Sequence, residues 1–153
     1  MTRFWFFLHF LGFVMWIGGG LATMQAGLAG KGESRLGLGA IARSQARIQK
    51  MVIAPGALLT VLSGLILTMR FMGAMTTAIS PWLLAMQGAG VVGALISLMV
   101  ALPTASRLAR INPEGESGPY FDELRKRLRV AGSVAGLLAI VALLTGVIYR
   151  LGG

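Results

Sequence analysis

The chain has 153 residues, of which 56% are hydrophobic and 12% are charged, and its mean hydropathy is +0.77. This composition predicts a single transmembrane domain over residues 1–153 and leaves no room for a second domain. The chain has no cysteine, which excludes disulfides, thiolate ligands and iron–sulfur clusters. The net charge is +9, and the basic residues that produce it flank apolar stretches. This placement indicates lipid headgroups, and not nucleic acid, as their partner.

Four long apolar stretches with uncharged interiors follow one another along the chain. They cover about residues 4–24, 51–71, 81–104 and 130–150. A helix of about 20 residues crosses a hydrocarbon core of about 30 Å. The sequence therefore predicts an all-α fold, a four-helix transmembrane bundle.

The distribution of basic residues predicts the orientation of the bundle. Five Lys and Arg lie between the first and second stretches and six lie between the third and fourth, whereas only Arg3, Arg70 and Arg150 fall on the other side. The positive-inside rule then puts both long connections in the cytoplasm and both termini outside. We expect a multi-pass protein of a bacterial-type inner (plasma) membrane. All five acidic residues also fall in the long connections, which indicates solvated loop charges and not catalytic carboxylates.

The two long connections differ in composition. Residues 33–50 interleave basic and aliphatic side chains without a proline, which predicts an amphipathic extension of the second helix into the cytoplasm. Residues 112–119 are rich in Pro, Gly, Glu and Ser and predict a loop. We expect the fourth helix to begin near Tyr120.

The second and fourth helices show an internal repeat. Residues 62–66 match residues 144–148 in pattern, and at the same offset Arg43 matches Arg125 and Arg47 matches Arg129. We interpret this as two helical hairpins duplicated in parallel.

Each predicted span carries small residues at helical spacing. Such stripes let membrane helices approach closely, so they indicate packing and not a ligand site. The stripes are Gly12, Gly19 and Gly20; Gly56, Thr60, Gly64 and Thr68; Ala89, Gly93, Ser97 and Ala101; and Gly132, Gly136, Ala139 and Ala142.

His9 is the only histidine of the chain and lies within the first span. Inside a membrane an imidazole needs a hydrogen-bond partner or a metal. Two interpretations stay open, a packing histidine bonded to a neighbouring polar group, or an axial ligand to haem or a ligand to copper. Residues expected at a similar depth are Met86, Gln87, Thr68, Met69, Thr145 and Tyr149.

Four methionines provide further candidate ligands. Met86 could complete a His/Met haem ligation, or it could simply fill a gap in the packing. Met69, Met72 and Met75 recur every third residue, and thioethers suit Cu(I). With His9 they form a candidate copper site, and methionine as membrane-surface filler is the alternative.

Several of these residues together resemble a known family. The four-helix membrane group that includes HemJ-type protoporphyrinogen oxidases and the membrane domain of CopD copper-resistance proteins is similar to this chain at His9, Gly12, Trp16, Gly19, Arg47, Met51, Pro55, Thr60, Gly64, Leu65, Pro81 and Trp82. The resemblance implies a haem b held partly by His9. Family members carry a lysine shortly after the helix-three tryptophan, whereas Leu83, Leu84 and Ala85 follow Trp82 here, so the enzymatic activity stays open.

Three functions are compatible with these features. The first is a membrane protein that binds b-type haem or porphyrin, with His9, Met86 and Trp16 as candidate cofactor-binding residues and a redox role. The second is a copper-handling protein that uses His9, Met69, Met72 and Met75. The third is a non-catalytic accessory subunit. Because four helices form only a thin bundle and each chain has one histidine, we expect a homo-oligomer or a larger membrane complex.

Overall fold

A computed structural model describes residues 2–72 and 80–152 of the chain. It is 90% helical, and the described residues form no strand. The helices are α1 (Thr2–Ala29), α2 (Arg35–Ile48), α3 (Ala54–Met72), α4 (Pro81–Leu95), α5 (Leu102–Leu108) and α6 (Gly118–Arg150). Two π-helical segments, Gln49–Ile53 and Ile96–Ala101, join α2 to α3 and α4 to α5 without a break.

Four helical rods are long and apolar enough to cross a membrane. They are Thr2–Ala29, Arg35–Arg70, Pro81–Leu108 and Gly115–Arg150. Their surfaces expose large apolar side chains, such as Phe7, Met99 and Leu144, each more than half exposed. Such continuous apolar surface matches lipid and would be unfavourable in water. The predicted all-α fold with four membrane-length helices is confirmed at this level.

The second rod extends well beyond its apolar stretch. Helix α2 begins at Arg35, where the Ser34 hydroxyl accepts a hydrogen bond from the Gly37 amide at 3.2 Å and caps the helix. The preceding connection turns at Gly32, whose φ of +91° favours glycine. The predicted extension of the second helix is confirmed as a helix from Arg35 onward, and helix α6 begins at Gly118, close to the predicted start at Tyr120.

The two π-helical segments have a common local cause. Pro55 follows the first segment and Pro103 follows the second, and a proline has no N–H and pushes away the carbonyl four residues earlier. The helix widens at these points, so that the Ala54 amide donates to the Gln49 carbonyl and the Leu102 amide donates to the Ser97 carbonyl. These widened turns were not predicted from the sequence.

The four rods pack mainly as two pairs, α1 with α3 and α4 with α6. The pairs meet at a buried cluster to which all four rods contribute, formed by Trp16, Ile53, Ala57, Ala94 and Ala139. Apart from Trp16 and Ile53 its members are alanines, which keep the helices close together. Where lipid is as apolar as the core, such close contact replaces the hydrophobic effect as the source of stability.

A second buried cluster lies where α2, α5 and the start of α6 meet. It consists of Ala42, Leu108, Phe121 and Leu124, and Phe121 is completely buried. On its surface Arg35 donates to both carboxylate oxygens of Asp122 at 2.9 Å. This cluster buries large side chains, as a core in contact with water does, and it holds the basic ends of the two helix pairs together.

The small-residue stripes are only partly used within the chain. A Cβ on Gly12 would lie 2.7 Å from the Thr60 amide nitrogen, and one on Gly56 would lie 2.7 Å from the Trp16 amide nitrogen. The predicted close packing is confirmed there. In the fourth helix Ala139 and Ala142 are buried, but Gly132 and Gly136 are exposed with open space around them. Those two glycines therefore pack against no other described helix, and the prediction that they serve helix packing stays a prediction.

Candidate functional site

The candidate site is built around His9, on the face of α1 that packs against α3. Gly12, Trp16 and Gly19 follow His9 at intervals of three or four residues and are buried on the same face. The imidazole itself is half-buried. The backbones of α1 and α3 can approach closely because Gly12 and Gly56 carry no side chain, and this approach brings His9 onto the polar groups of α3.

Two polar groups of α3 hold one nitrogen of the imidazole. His9 Nδ1 lies 2.9 Å from the Thr60 carbonyl oxygen and 3.3 Å from Ser63 Oγ. A carbonyl oxygen can only accept, so the proton of a neutral imidazole is on Nδ1. The Ser63 hydroxyl donates to the Leu59 carbonyl of its own helix and is thus also an acceptor towards His9. Nε2 therefore keeps its lone pair.

A glycine on the same face of α3 lies against the ring. A Cβ on Gly64 would lie 3.0 Å from His9 Cε1 and 3.3 Å from Nδ1. The imidazole is thus in close contact with the backbone of α3, and a larger residue at position 64 would push against the ring. Thr60, Ser63 and Gly64 together orient the ring through two hydrogen bonds and one steric contact.

Trp16 lies about 10 Å further along α1, two turns from His9, and is almost completely buried. Its indole N–H donates to Ser97 Oγ at 3.0 Å. The Ser97 carbonyl accepts from Gln49 Nε2 at 3.1 Å, so this network links the two π-helical segments. Trp16 therefore lies in the packed centre of the bundle, about two helical turns from His9 towards the end of α1.

Met86, the candidate second ligand, lies in the other helix pair. A Cβ on Gly146 would lie 2.9 Å from Met86 Sδ, so Met86 packs on α6 while His9 packs on α3. Its neighbour Gln87 donates to Thr68 Oγ1 at 2.6 Å. The structure thus brings Gln87 and Thr68 together as their predicted common depth suggests, but it brings neither of them into hydrogen-bond contact with His9.

Of the methionines of the candidate copper site, only Met69 has a side chain within the described part of the chain. Met69 is 67% exposed and lies about 140° around the helix from Gly64, which contacts His9. Met75 and the side chain of Met72 lie outside the described residues. The described residues also contain no group of three or more His, Cys, Asp or Glu that could hold a metal ion.

Sequence reasoning missed the residues that orient His9. Ser63 and the Thr60 carbonyl were not identified as its partners, although polar residues at 60 and 63 and a glycine at 64 form one helical face inside an apolar span. That spacing was the available signal. The contact between Gln49 and Ser97 was missed for a different reason, because it depends on two widened turns in separate helices.

Comparison with known proteins adds no further assignment to this site. The arrangement around His9 has to be interpreted from its own contacts. No protein-family model, curated protein or solved structure matches the chain.

Proposed function

We propose that the protein is a b-type haem-binding membrane protein with a redox role, and that His9 is the axial ligand. One observation supports this most directly. The Nδ1–H of His9 is used by the Thr60 carbonyl at 2.9 Å, which leaves Nε2 with a free lone pair. Metal-ligating histidines characteristically donate the other ring N–H to a carbonyl or a carboxylate, because this bond fixes the tautomer and makes the ligand more basic.

The residues around His9 are compatible with its role as one axial ligand of a haem. Gly64 provides the space into which the imidazole packs, and Ser63 provides a second acceptor at Nδ1. A haem iron bound there would supply one-electron chemistry. The protein residues would hold the iron through Nε2 and orient the ring through α3. Met86 stays a candidate second ligand, and a porphyrin without iron would not need His9.

Absorption spectroscopy of purified protein tests the proposal. We expect a Soret band after expression with haem supplied, its loss in His9→Ala, and its retention in Phe10→Ala, which changes the exposed neighbour of His9. Met86→Leu should shift the spectrum if Met86 is the second ligand and should leave it unchanged otherwise. A wild-type protein that folds but shows no Soret band contradicts the proposal, as does an unchanged band in His9→Ala.

The same proposal includes the topology, a four-helix bundle of two parallel duplicated hairpins with both termini outside. The pairing of His9 with Gly64 and of Met86 with Gly146 supports the duplication, since both contacts join the beginning of one helix to the end of the next. A tag after Gly153 should react with a membrane-impermeant reagent on intact cells. Labelling only after permeabilisation would contradict this topology.

One observation favours a second candidate function, that of a subunit that docks onto another membrane helix. Gly132 and Gly136 are one helical turn apart on α6, exposed, and surrounded by open space. Two glycines at this spacing allow close contact between transmembrane helices. If the protein docks there, Gly132→Leu with Gly136→Leu should reduce the assembly seen by native mass spectrometry in mild detergent. A 16.1 kDa monomer at every concentration in the wild type contradicts this candidate.

A further inference from the structure

An open groove lies between α6 and the π-helical segment Ile96–Ala101. It has a volume of about 470 Å³, and its apolar wall includes Ile96, Val100, Val130 and Val134. Val130 is 54% exposed and Val134 is 42% exposed. The groove therefore opens to the outside of the helix pair and is not filled by any described side chain.

Charged side chains line only one end of this groove. Lys126 and Arg127 lie about one helical turn before Val130, and Val134 follows one turn later. Glu123 lines the same end. Along about 12 Å of α6 the groove thus changes from charged to fully apolar. This order matches the boundary between lipid headgroups and acyl chains.

Neither cation of the groove forms an ion pair within the described part of the chain. Among the described residues the ion pair of Arg35 with Asp122 is the one formed, so neither Lys126 nor Arg127 has a carboxylate within ion-pair distance. Glu123 lies in the groove but stays beyond that distance from both. Both cations are exposed, and an anion of the membrane surface can reach them.

The first helix pair has no such cations at the matching place. The offset that relates Arg43 to Arg125 makes Ser44 and Gln45 the counterparts of Lys126 and Arg127. Gln45 is already used, because its Nε2 donates to the Thr23 carbonyl at 2.8 Å. Unpaired cations above an open apolar groove are thus a property of the second pair, and the repeated architecture does not explain them.

We propose that this groove binds an anionic phospholipid of the bilayer. Lys126 and Arg127 bind the phosphate group by charge-assisted hydrogen bonds. An acyl chain packs along Val130, Val134 and the π-helical segment. The proposal is independent of His9 and of haem.

Thermal unfolding in detergent tests this assignment. The probes are phosphatidylglycerol, phosphatidylcholine with the same acyl chains, and inorganic phosphate. With phosphatidylglycerol at about ten times its dissociation constant we expect the melting temperature to rise by about 4 °C. The rise should disappear in Lys126→Gln with Arg127→Gln. It should persist in Arg43→Gln with Arg47→Gln, which removes the same charge from the first pair.

Three results would overturn the proposal. The first is an equal shift with phosphatidylcholine, which would show that the headgroup charge is not recognised. The second is a shift with inorganic phosphate alone, which would assign the site to the free anion. The third is a phosphatidylglycerol shift that survives in Lys126→Gln with Arg127→Gln. Native mass spectrometry of the same proteins provides a second readout, because it counts bound lipids even if a variant is less stable.

Discussion

In the first helix pair, α1 with α3, the imidazole of His9 lies against Gly64, and in the second pair, α4 with α6, the thioether of Met86 lies against Gly146. The hydroxyl beside each glycine, on Ser63 or Thr145, bonds a carbonyl of its own helix. Only in the first pair does that hydroxyl also meet a ring nitrogen. The same helix contact therefore accommodates a titratable group in one pair and an apolar one in the other.

The two pairs also differ in how closely their backbones approach. In the first pair a Cβ on Gly12 or Gly56 would meet backbone atoms at 2.7 Å. In the second pair a Cβ on Gly146 would meet the side-chain sulfur of Met86 at 2.9 Å, and one on Gly93 would lie 3.3 Å from the Leu138 Cβ. A backbone cannot move aside as a side chain can. The hydrogen bonds to His9 thus depend on a rigid backbone contact. The second pair should tolerate substitutions at its helix contact better.

The largest effect is expected for Gly56→Leu in the first pair. The new side chain would collide with the backbone at Trp16 and Gly12, so overpacking should cost about 3 kcal/mol or more of unfolding free energy. Gly18→Leu is the matched control, because Gly18 lies in the same pair with open space around it. Thermal unfolding in detergent measures both. Equal melting temperatures of the two variants would show that the pair is not closely packed.

A smaller effect, on haem affinity, is expected to distinguish Gly64→Ala from Gly146→Ala. In the first variant the methyl group meets the ring of His9 at 3.0 Å, whereas in the second it meets the movable end of Met86. If His9 binds haem, Gly64→Ala should weaken haem binding by about tenfold, the lower range for groups that orient a ligand. Gly146→Ala should leave it unchanged. A haem titration followed at the Soret band measures both, and equal affinities would contradict the proposed role of Gly64.

The hydrogen bond between Trp16 and Ser97, which links the two pairs, is expected to contribute less to the unfolding free energy. Trp16→Phe removes the indole donor to Ser97 and should cost about 1 kcal/mol, the usual net value of one hydrogen bond. Ser97→Ala removes the same bond from the other side. In a double-mutant cycle the coupling should be about 0.6 kcal/mol, as for hydrogen bonds between membrane helices. Strictly additive effects would show that the bond does not join the pairs.

The smallest effect is expected for the ion pair at the other end of the molecule. Arg35 and Asp122 are about half exposed, at 47% and 46%, so solvent screens their attraction. Arg35→Gln should change the unfolding free energy by less than about 1 kcal/mol, and high salt should reduce the difference further. A loss as large as that of Gly56→Leu would mean that this pair, and not the buried Phe121 cluster, holds the two helix pairs together.

The sequence predicted the part of the site that depends on residue type. His9 was identified because an ionisable group inside an apolar span needs a partner. Its partners were misplaced, since counting residues from the membrane boundary put Thr68 and Met69 at its level, whereas the structure puts Thr60 and Ser63 there. The count assumed that the first and second spans end at the same depth on this side, whereas the contact of α1 with α3 sets their relative position.

By itself, the sequence determined the four apolar helices, the helical extension that begins at Arg35 and the single histidine within the first apolar helix. These features depend on local hydropathy and residue spacing, which a one-dimensional pattern records. Only the tertiary structure decided which glycines are buried, which nitrogen of His9 is protonated, and where Lys126 and Arg127 stay unpaired above a groove. Those properties depend on the rotation and separation of helices distant in sequence, which close backbone contacts set.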